Sequence, residues 1–247
     1  MKIIGVIPSR YGSTRFPGKP LVDLCGKPMI WWVYNSVKKV KHLTEIYVAT
    51  DDQRIFDVCK SYDMNVVMTK STHMNCFYRL HEVSQLVKAD KYILINGDEP
   101  LIEPEAIQSI VDETIKTDAY FLFSYRKLVD PVETLDTGNM KVVISGDKLL
   151  YLSRFPVPCP HKSVLFSYKK IVGLQAFAPE ALEFFVKTAP GEIEQIEDIA
   201  ELRWLENHKI VNCKEVFSNS ISVDNPRDVK KVEKIIKERF ESGFYKD

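Results

Sequence analysis

The chain has 247 residues, of which 45% are hydrophobic, a composition typical of a globular protein with a full core. Its 34 Lys and Arg side chains balance 34 Asp and Glu side chains, so the formal net charge is zero. Bulk nucleic-acid binding needs a basic excess, and a membrane span needs a longer apolar run than any in this sequence. We therefore expect neither a nucleic acid nor a membrane as a partner.

The five cysteines are scattered, and no CxxC pair occurs among them. We interpret them as reduced thiols rather than as a disulfide framework or a zinc site. The sequence starts directly on a predicted strand, without the pattern of a signal peptide. These features predict a cytoplasmic protein.

The first half of the chain alternates between strands and helices. Apolar runs predict strands at residues 3–7, 45–50, 65–68 and 92–96. Helices are predicted at residues 29–39, after Asp51-Asp52, at residues 77–88 and from Pro104. This alternation predicts a doubly wound, mostly parallel sheet, in which ligands bind at the carboxyl ends of the strands.

The pattern changes from about residue 119, where the links become longer and contain proline. Further strands are predicted at residues 121–125, 140–144, 149–152, 171–177 and 221–223. Further helices are predicted at residues 179–188, 193–207 and about 227–240. No linker divides the chain, so the second half is predicted to be an insertion and lid over the sheet of the first half.

A loop rich in glycine, proline and cations follows the first strand and ends at Pro20. Backbone N–H groups in a glycine-containing turn, with Arg10, Arg15 and Lys19 close by, form a cradle for phosphate. The loop differs from a Walker A motif in its glycine spacing, and proline replaces the Ser or Thr that would bind magnesium. A plain basic surface loop is the alternative, which this density of cations and glycines disfavours.

Asp98 and Asp224 each follow a predicted apolar strand and precede a proline-containing turn. Taken alone, each would more often be a turn or helix cap. Magnesium prefers carboxylate oxygens, commonly with substrate phosphates completing its shell. Beside a phosphate loop, the two aspartates therefore predict a magnesium site for attack on an α-phosphate.

At these residues the chain resembles the cytidylyltransferases that activate 3-deoxy-manno-octulosonate (Kdo) as its CMP derivative. The stretches that carry the resemblance are residues 7–23, 26–30, 48–52, 96–100 and 223–228. Weaker similarities lie at residues 140–143, 152–154, 193–197 and 202–203. Together they span nearly the whole chain in the family's order.

The resemblance implies an α/β nucleotidyltransferase fold, Rossmann-like and three-layered, with a mixed, mostly parallel sheet and a smaller lid and dimerisation insertion. Residues 1–247 would form one domain, with a nucleotide-binding core at about 1–118 and 210–247. Residues of about 119–209 would form the sugar-binding and dimerisation part of a homodimer. The reaction would transfer CMP from CTP to the anomeric hydroxyl of an acidic sugar, Kdo or a related ulosonic acid, for surface polysaccharide synthesis.

The resemblance also implies roles for individual residues. The catalytic set would be Arg10, Lys19, Asp98 and Asp224, with the two aspartates as ligands of Mg²⁺. The nucleotide-binding set would be Pro8, Arg10, Ser13, Thr14, Arg15, Lys19, His73, Asn75, Arg79, Asn96 and Gly97, with Arg79 near the base. The substrate-binding set would be Arg154, Lys170, Gln175, Glu197 and Glu201.

Two departures from the family pattern leave alternatives open. Residues 75–79 read Asn-Cys-Phe-Tyr-Arg where the family has Ser-Gly-Thr-Glu-Arg, which changes backbone freedom and hydroxyl donors near the nucleotide. Lys170, Leu174 and Ala176 stand in place of a histidine and two tyrosines near the sugar. The alternatives are the same chemistry with another acceptor or base, or a nucleotide-binding protein without turnover.

Overall fold

The computed structural model describes residues 1–128, 130–162 and 167–244. The strands of the first half are β1 (Ile3–Ser9), β2 (Asp23–Leu24), β3 (Lys27–Pro28), β4 (Glu45–Thr50), β5 (Val66–Met68) and β6 (Lys91–Ile95). Its helices are α1 (Met29–Val37), α2 (Gln53–Ser61), α3 (Cys76–Leu86) and α4 (Pro104–Thr117), and a 3-10 turn covers Lys19–Leu21.

The second half adds more strands and shorter helices. Its strands are β7 (Phe121–Lys127), β8 (Lys141–Ser145), β9 (Lys148–Ser153), β10 (Lys169–Phe177) and β11 (Asn212–Glu215). Its helices are α5 (Pro131–Leu135), α6 (Pro179–Lys187), α7 (Glu192–Glu197), α8 (Leu202–Glu206) and α9 (Pro226–Glu241). Asn225 begins α9 with a capping box, since its side chain and that of Asp228 each accept a backbone N–H at the helix start.

In the described part of the chain, nine strands form one mixed sheet in the order β5-β4-β1-β6-β10-β7-β11-β9-β8. The four strands β5, β4, β1 and β6 run parallel, as the strand–helix alternation predicts. β10 is antiparallel to both β6 and β7, so it joins the two halves in one sheet. The fold class is therefore confirmed, and the carboxyl ends of β1 and β6 lie side by side.

Helices cover both faces of the sheet, which makes three layers. Apolar residues of α1, α2 and α4 pack with Ile7 on one face. Apolar residues of α3, α6 and α8 pack with Val6 on the opposite face, because successive residues of a strand point to opposite sides. α9 closes a third cluster by packing Val232 and Ile236 near Trp32.

Among the described residues, no helix combines the length and apolar character needed to cross a membrane.

The second half differs from the sequence prediction in several places, and it contains α5 and β11, which the sequence pattern does not predict. The helix predicted at residues 193–207 is broken into α7 and α8, because Asp198 takes a left-handed conformation with φ of 51°. Residues 221–223 are not a strand, although Val223 donates its backbone N–H to the carbonyl of Asp98 at 2.8 Å. The subdivision of the chain near residue 119 stays a prediction.

Candidate active site

The site is built where β1 and β6 end next to each other. A Cβ added to Gly97 would lie 2.7 Å from the carbonyl oxygen of Pro8, so only glycine lets the turn after β6 approach the end of β1. The following residue, Asp98, then lies beside the loop after β1. The hydrogen bond from Val223 to the Asp98 carbonyl brings Asp224 to the same place.

The loop after β1 is held by Tyr11. Gly18 and Ser13 both donate backbone N–H groups to the Tyr11 carbonyl, at 2.8 and 2.9 Å. Gly18 has a φ of 71°, and a Cβ there would press on the Tyr11 ring at 3.0 Å. The Arg54 guanidinium stacks 3.3 Å from the centre of that ring. These contacts within the chain hold the loop, and it directs Lys19 toward the ends of the strands.

Lys19 brings the two predicted metal-binding carboxylates together. Its Nζ donates to Asp98 Oδ2 at 2.7 Å and to Asp224 Oδ1 at 3.3 Å. Arg15 Nη2 contacts the same Asp224 oxygen at 3.0 Å. Asp98 and Asp224 keep 28% and 34% of their side chains exposed, so both carboxylates remain accessible from the cavities.

A cavity of about 340 Å³ opens over this loop. All the residues of the predicted nucleotide-binding set line it, namely Pro8, Arg10, Ser13, Thr14, Arg15, Lys19, His73, Asn75, Arg79, Asn96 and Gly97. We call it the loop cavity. Residues from three separate stretches of the sequence therefore line one cavity.

Two residues of the loop cavity are held by protein partners. Arg79 is buried, and its guanidinium donates to Asp51 Oδ2 at 2.8 Å and to the Thr69 hydroxyl. Asp51 in turn accepts the Tyr11 backbone N–H at 3.4 Å, so Arg79 supports the loop through Asp51. His73 Nε2 lies 2.5 Å from Glu82 Oε2. Both side chains therefore shape the cavity wall in positions fixed by carboxylates.

The structure accounts for the unusual residues at 75–78. Asn75 is the N-cap of α3 and accepts the backbone N–H of Phe77 at 3.0 Å, a role that Ser and Asn share. Cys76 is the first helical residue and has no positive φ, so no glycine is needed there. Phe77 packs 5.3 Å from Trp204, and the Tyr78 hydroxyl accepts from Arg203 at 3.0 Å. Phe77 and Tyr78 therefore belong to an aromatic core behind the loop cavity, while Asn75 and Cys76 line the loop cavity itself.

A second cavity of about 360 Å³, the strand cavity, lies over β10 and the start of α8. Arg154, Lys170, Gln175 and Glu201 line it, as the resemblance implies. Glu197 is not among its lining residues, because its carboxylate is turned to the Arg154 backbone N–H at 2.9 Å and the Tyr151 hydroxyl at 3.2 Å. Glu197 therefore supports Arg154 from behind.

Several residues of the strand cavity were not singled out from the sequence. They include Glu99, Arg126, Asn139 and Asp198. The sequence could have indicated Glu99 and Arg126 as site residues, since each lies at or just beyond the carboxyl end of a predicted strand. The local sequence does not indicate Asn139, because its loop reaches the site through the pairing of β8 with β10, which lies far along the chain.

Charge is unevenly distributed around the strand cavity. Arg126 Nη2 contacts both oxygens of Glu133, at 3.0 and 3.1 Å, and Lys170 Nζ lies 3.6 Å from the same carboxylate. Lys170 also donates to Asn139 Oδ1 at 2.8 Å. Two cations thus share one carboxylate, and burial together with Arg126 lowers the pKa of Lys170. This wall carries an excess positive charge suited to an anionic group.

A buried amide and carboxyl form another part of the wall. Gln175 Nε2 donates to Glu201 Oε1 at 2.7 Å, and burial raises the pKa of Glu201. In the part of the chain that the structure describes, the buried Gln175 Oε1 has no hydrogen-bond partner. Buried acceptors are normally paired, so Gln175, which lines the strand cavity, would gain a hydrogen bond if its amide turned toward a ligand hydroxyl.

Glu99 makes the site sensitive to pH. Burial, reinforced by neighbouring Asp98, raises the pKa of Glu99 to about 7, and the carboxyl accepts the Gly173 N–H at 3.2 Å. A folded-state pKa above the unfolded value means that stability falls as pH rises from about 4 to 7. We expect Glu99→Gln to remove this loss and to raise the free energy of unfolding at pH 8 by about 3 kcal/mol.

Urea denaturation at pH 5 and pH 8 measures this difference. Glu105→Gln, at an exposed carboxylate of α4, is the control and should change stability equally at both pH values. A Glu99→Gln variant that gains no stability between pH 5 and pH 8 relative to the wild type would contradict the assignment.

The two cavities meet at a common boundary. The residues that line both are Arg15, Asn75, Cys76, Asn96, Asp98 and Asp224. The two carboxylates therefore lie between the phosphate-binding loop on one side and the cationic wall of the strand cavity on the other. Among the described residues no cluster of three or more potential metal ligands occurs. Two carboxylate oxygens suit a magnesium ion that takes its remaining ligands from phosphates and water.

Comparison with known proteins agrees with this arrangement. Residues 4–217 match the family described as Cytidylyltransferase. The 3-deoxy-manno-octulosonate cytidylyltransferase of Solibacter usitatus is 35% identical over 247 residues, covering 98% of this chain and 98% of that protein. The 8-amino-3,8-dideoxy-manno-octulosonate cytidylyltransferase of Shewanella sp. (strain W3-18-1) is 34% identical over 239 residues, covering 94% and 98%.

A solved structure of a related synthetase is also similar to this chain over nearly its whole length. The structure of CMP:2-keto-3-deoxy-manno-octonic acid synthetase complexed with CTP superimposes with a TM-score of 0.93 at 32% sequence identity. The superposition covers 97% of this chain and 100% of that one. The resemblance seen in the sequence motifs is thereby confirmed, and the chain belongs to the cytidylyltransferase family.

Proposed function

We propose that this protein transfers CMP from CTP to the anomeric hydroxyl of an acidic sugar, Kdo or a related ulosonic acid, and releases pyrophosphate. The observation that carries the proposal is the meeting of the two cavities at Asp98 and Asp224. CTP in the loop cavity and the acid in the strand cavity would place the α-phosphate and the hydroxyl at this boundary. The names of the relatives and the CTP complex support the same pairing.

The chemistry requires positioning and charge neutralisation rather than a covalent intermediate. The anomeric oxygen forms a bond to the α-phosphorus, the bond from that phosphorus to the oxygen bridging to the β-phosphorus breaks, and pyrophosphate leaves. The hydroxyl proton is lost to solvent. Arg10, Arg15 and Lys19 hold the triphosphate, while the fixed loop backbone keeps the α-phosphate at the cavity boundary.

Nucleotidyltransferases of this kind generally need a divalent metal ion. We propose Mg²⁺ held by Asp98 and Asp224, because hard carboxylate oxygens next to a phosphate site fit its preferences. When bound, the ion would neutralise charge that develops on the phosphates during transfer.

The strand cavity has the chemistry to bind a polyhydroxylated acid. The wall of Lys170 and Arg126, which share the Glu133 carboxylate, suits the carboxylate of the acid. The Gln175 amide oxygen, which has no partner among the described residues, would accept from a hydroxyl of the acid. We place Glu197 behind Arg154 as a supporting residue, while Arg154 and Glu201 face the sugar.

Pyrophosphate release tests the proposed function. The assay combines Mg²⁺, each of the four nucleoside triphosphates in turn, and a panel containing Kdo, 8-amino-3,8-dideoxy-manno-octulosonate and a nonulosonic acid. We expect release with CTP and at least one octulosonate. Release with CTP and only another acid would assign a different acceptor, and CTP binding without release from any pair would indicate a binding protein.

Lys170→Met is expected to raise KM for the acid by at least about tenfold, because a charge-assisted hydrogen bond contributes about 1.5–3 kcal/mol. The affinity for CTP, measured by titration calorimetry, should stay within about twofold of the wild type, since Lys170 lines only the strand cavity. Lys169→Met is the matched control, because Lys169 lies on the same strand and lines neither cavity. An unchanged KM in Lys170→Met would refute the role of this wall.

A homodimer and a cytoplasmic location remain predictions. Large apolar side chains of the second half are exposed, among them Val132, Leu135, Phe155 and Ile196. Their exposure in the sequence region predicted for dimerisation supports the homodimer, which sedimentation of the purified chain would test.

A further inference from the structure

We propose that the Lys19 ammonium occupies the place of the divalent metal between Asp98 and Asp224 until a triphosphate draws it away, so that nucleotide and metal bind cooperatively. The inference rests on the proposed function for the identity of the nucleotide. It concerns the chain's own side chains, and its metal-binding test does not depend on turnover.

The contacts of Lys19 leave little room for a second cation. An ammonium has three N–H donors, and Lys19 has an acceptor for each, Asp98 Oδ2 at 2.7 Å, Val223 O at 3.1 Å and Asp224 Oδ1 at 3.3 Å. The Lys19 side chain is only 15% exposed, so this arrangement is partly shielded from water. A metal using the same two carboxylate oxygens would have to displace the ammonium.

A second cation of the same loop contacts one of these two carboxylates. Arg15, 63% exposed, contacts Asp224 Oδ1 at 3.0 Å. The cations predicted to bind phosphates and the carboxylates predicted to bind metal therefore neutralise each other while both ligands are absent. Either ligand, binding alone, must break these ion pairs and leaves one set of charges without a partner. When both bind, the phosphates pair with the cations and the metal pairs with the carboxylates.

The Lys19 side chain is able to move from the two carboxylates to a bound triphosphate. Its ammonium is carried by a flexible four-carbon chain, while its backbone is fixed in the turn that begins at Gly18. It lines the loop cavity together with Arg10, Ser13 and Thr14, where a triphosphate would offer it new acceptors. Movement toward the phosphates frees the carboxylates, and by linkage the metal then favours nucleotide binding by the same factor.

The experiment measures the two ligands separately on the full chain. Mn²⁺ binding without nucleotide is followed by electron paramagnetic resonance, and CTP binding in EDTA is followed by calorimetry. Lys19→Met should bind Mn²⁺ at least about tenfold more tightly than the wild type while binding CTP more weakly in EDTA. Adding Asp98→Asn to Lys19→Met should abolish the gain in Mn²⁺ affinity.

The inference predicts that Lys19→Met binds Mn²⁺ more tightly and CTP more weakly than the wild type. A purely structural role for Lys19 would instead weaken the binding of both ligands. Lys27→Met removes a positive charge outside both cavities and should leave the Mn²⁺ affinity unchanged. Should Lys19→Met fail to fold, Arg15→Gln provides the same comparison with a smaller expected gain in Mn²⁺ affinity. Mn²⁺ binding to the folded variant that is no tighter than to the wild type would overturn the inference. Failure of CTP to bind even the wild type would instead count against the proposed function.

Discussion

Asp98→Asn is expected to lower kcat for CMP transfer by at least about a thousandfold, which corresponds to about 4 kcal/mol of lost transition-state stabilisation. The substitution removes one of the two carboxylates at the boundary of the cavities and weakens the proposed metal site. The fold should be unaffected, because the Asp98 side chain is partly exposed and its backbone carbonyl still accepts from Val223. Initial rates of pyrophosphate release measure the effect.

Two measurements accompany this variant. Its affinity for CTP in EDTA should equal or exceed that of the wild type, because the phosphate-binding cations are unchanged and Lys19 is no longer paired with a charged Asp98. Asp23→Asn is a suitable control, since Asp23 accepts the Gly26 N–H in a remote turn and asparagine can do the same. Wild-type rates in Asp98→Asn would exclude the metal assignment.

Arg203→Met is expected to lower the free energy of unfolding by about 3–5 kcal/mol, because it leaves a buried carboxylate without its cation. Arg203 donates to Glu194 at 2.5 and 2.7 Å, and its side chain is 1% exposed. It also donates to the Phe185 carbonyl at 2.9 Å, which ties α8 to α6 and α7. Urea denaturation measures the loss.

Smaller changes in the same network provide the controls for Arg203→Met. Tyr78→Phe removes only the hydroxyl that accepts from Arg203 and should cost about 1 kcal/mol. The double variant Arg203→Met with Glu194→Met should recover part of the loss, because no unpaired charge then remains buried. A single Arg203→Met variant as stable as the wild type would contradict a structural role for this ion pair.

The nucleotide side of the site could be predicted from sequence because its determinants are local. The cations and glycines from Arg10 to Lys19 lie in one loop, and Gly97 and Asp98 directly follow an apolar strand. Parallel strands bring their carboxyl ends to one edge, so the two segments had to meet once the strand–helix alternation was recognised.

The sugar side was harder to predict because tertiary pairing builds it. β11 has the sequence Asn-Cys-Lys-Glu, without an apolar alternation, and its place is set by its parallel pairing with β7. The break at Asp198 depends on one left-handed residue that periodicity cannot reveal. Glu197 and Glu201 consequently fall on different segments, one behind Arg154 and the other in the cavity wall.

The residues that depart from the family pattern also show that tertiary packing cannot be predicted from the local sequence. Asn75 and Cys76 are explained by their positions at the N-cap and first turn of α3. Phe77 and Tyr78 are explained by Trp204 and Arg203, more than a hundred residues away in the chain. The sequence shows that these residues differ, but only the packing shows that Phe77 and Tyr78 join the core while Asn75 and Cys76 line the cavities.

The most direct test of the proposed transfer follows one oxygen atom. The anomeric oxygen of a 2-keto sugar acid exchanges with water, so Kdo can be labelled there with ¹⁸O before the reaction with CTP and Mg²⁺. Attack by the anomeric hydroxyl on the α-phosphate predicts one ¹⁸O in the bond between sugar and phosphorus of the CMP-sugar, seen as an upfield shift in the ³¹P spectrum, and none in pyrophosphate. Label in the pyrophosphate, or a CMP product without label, would contradict the mechanism.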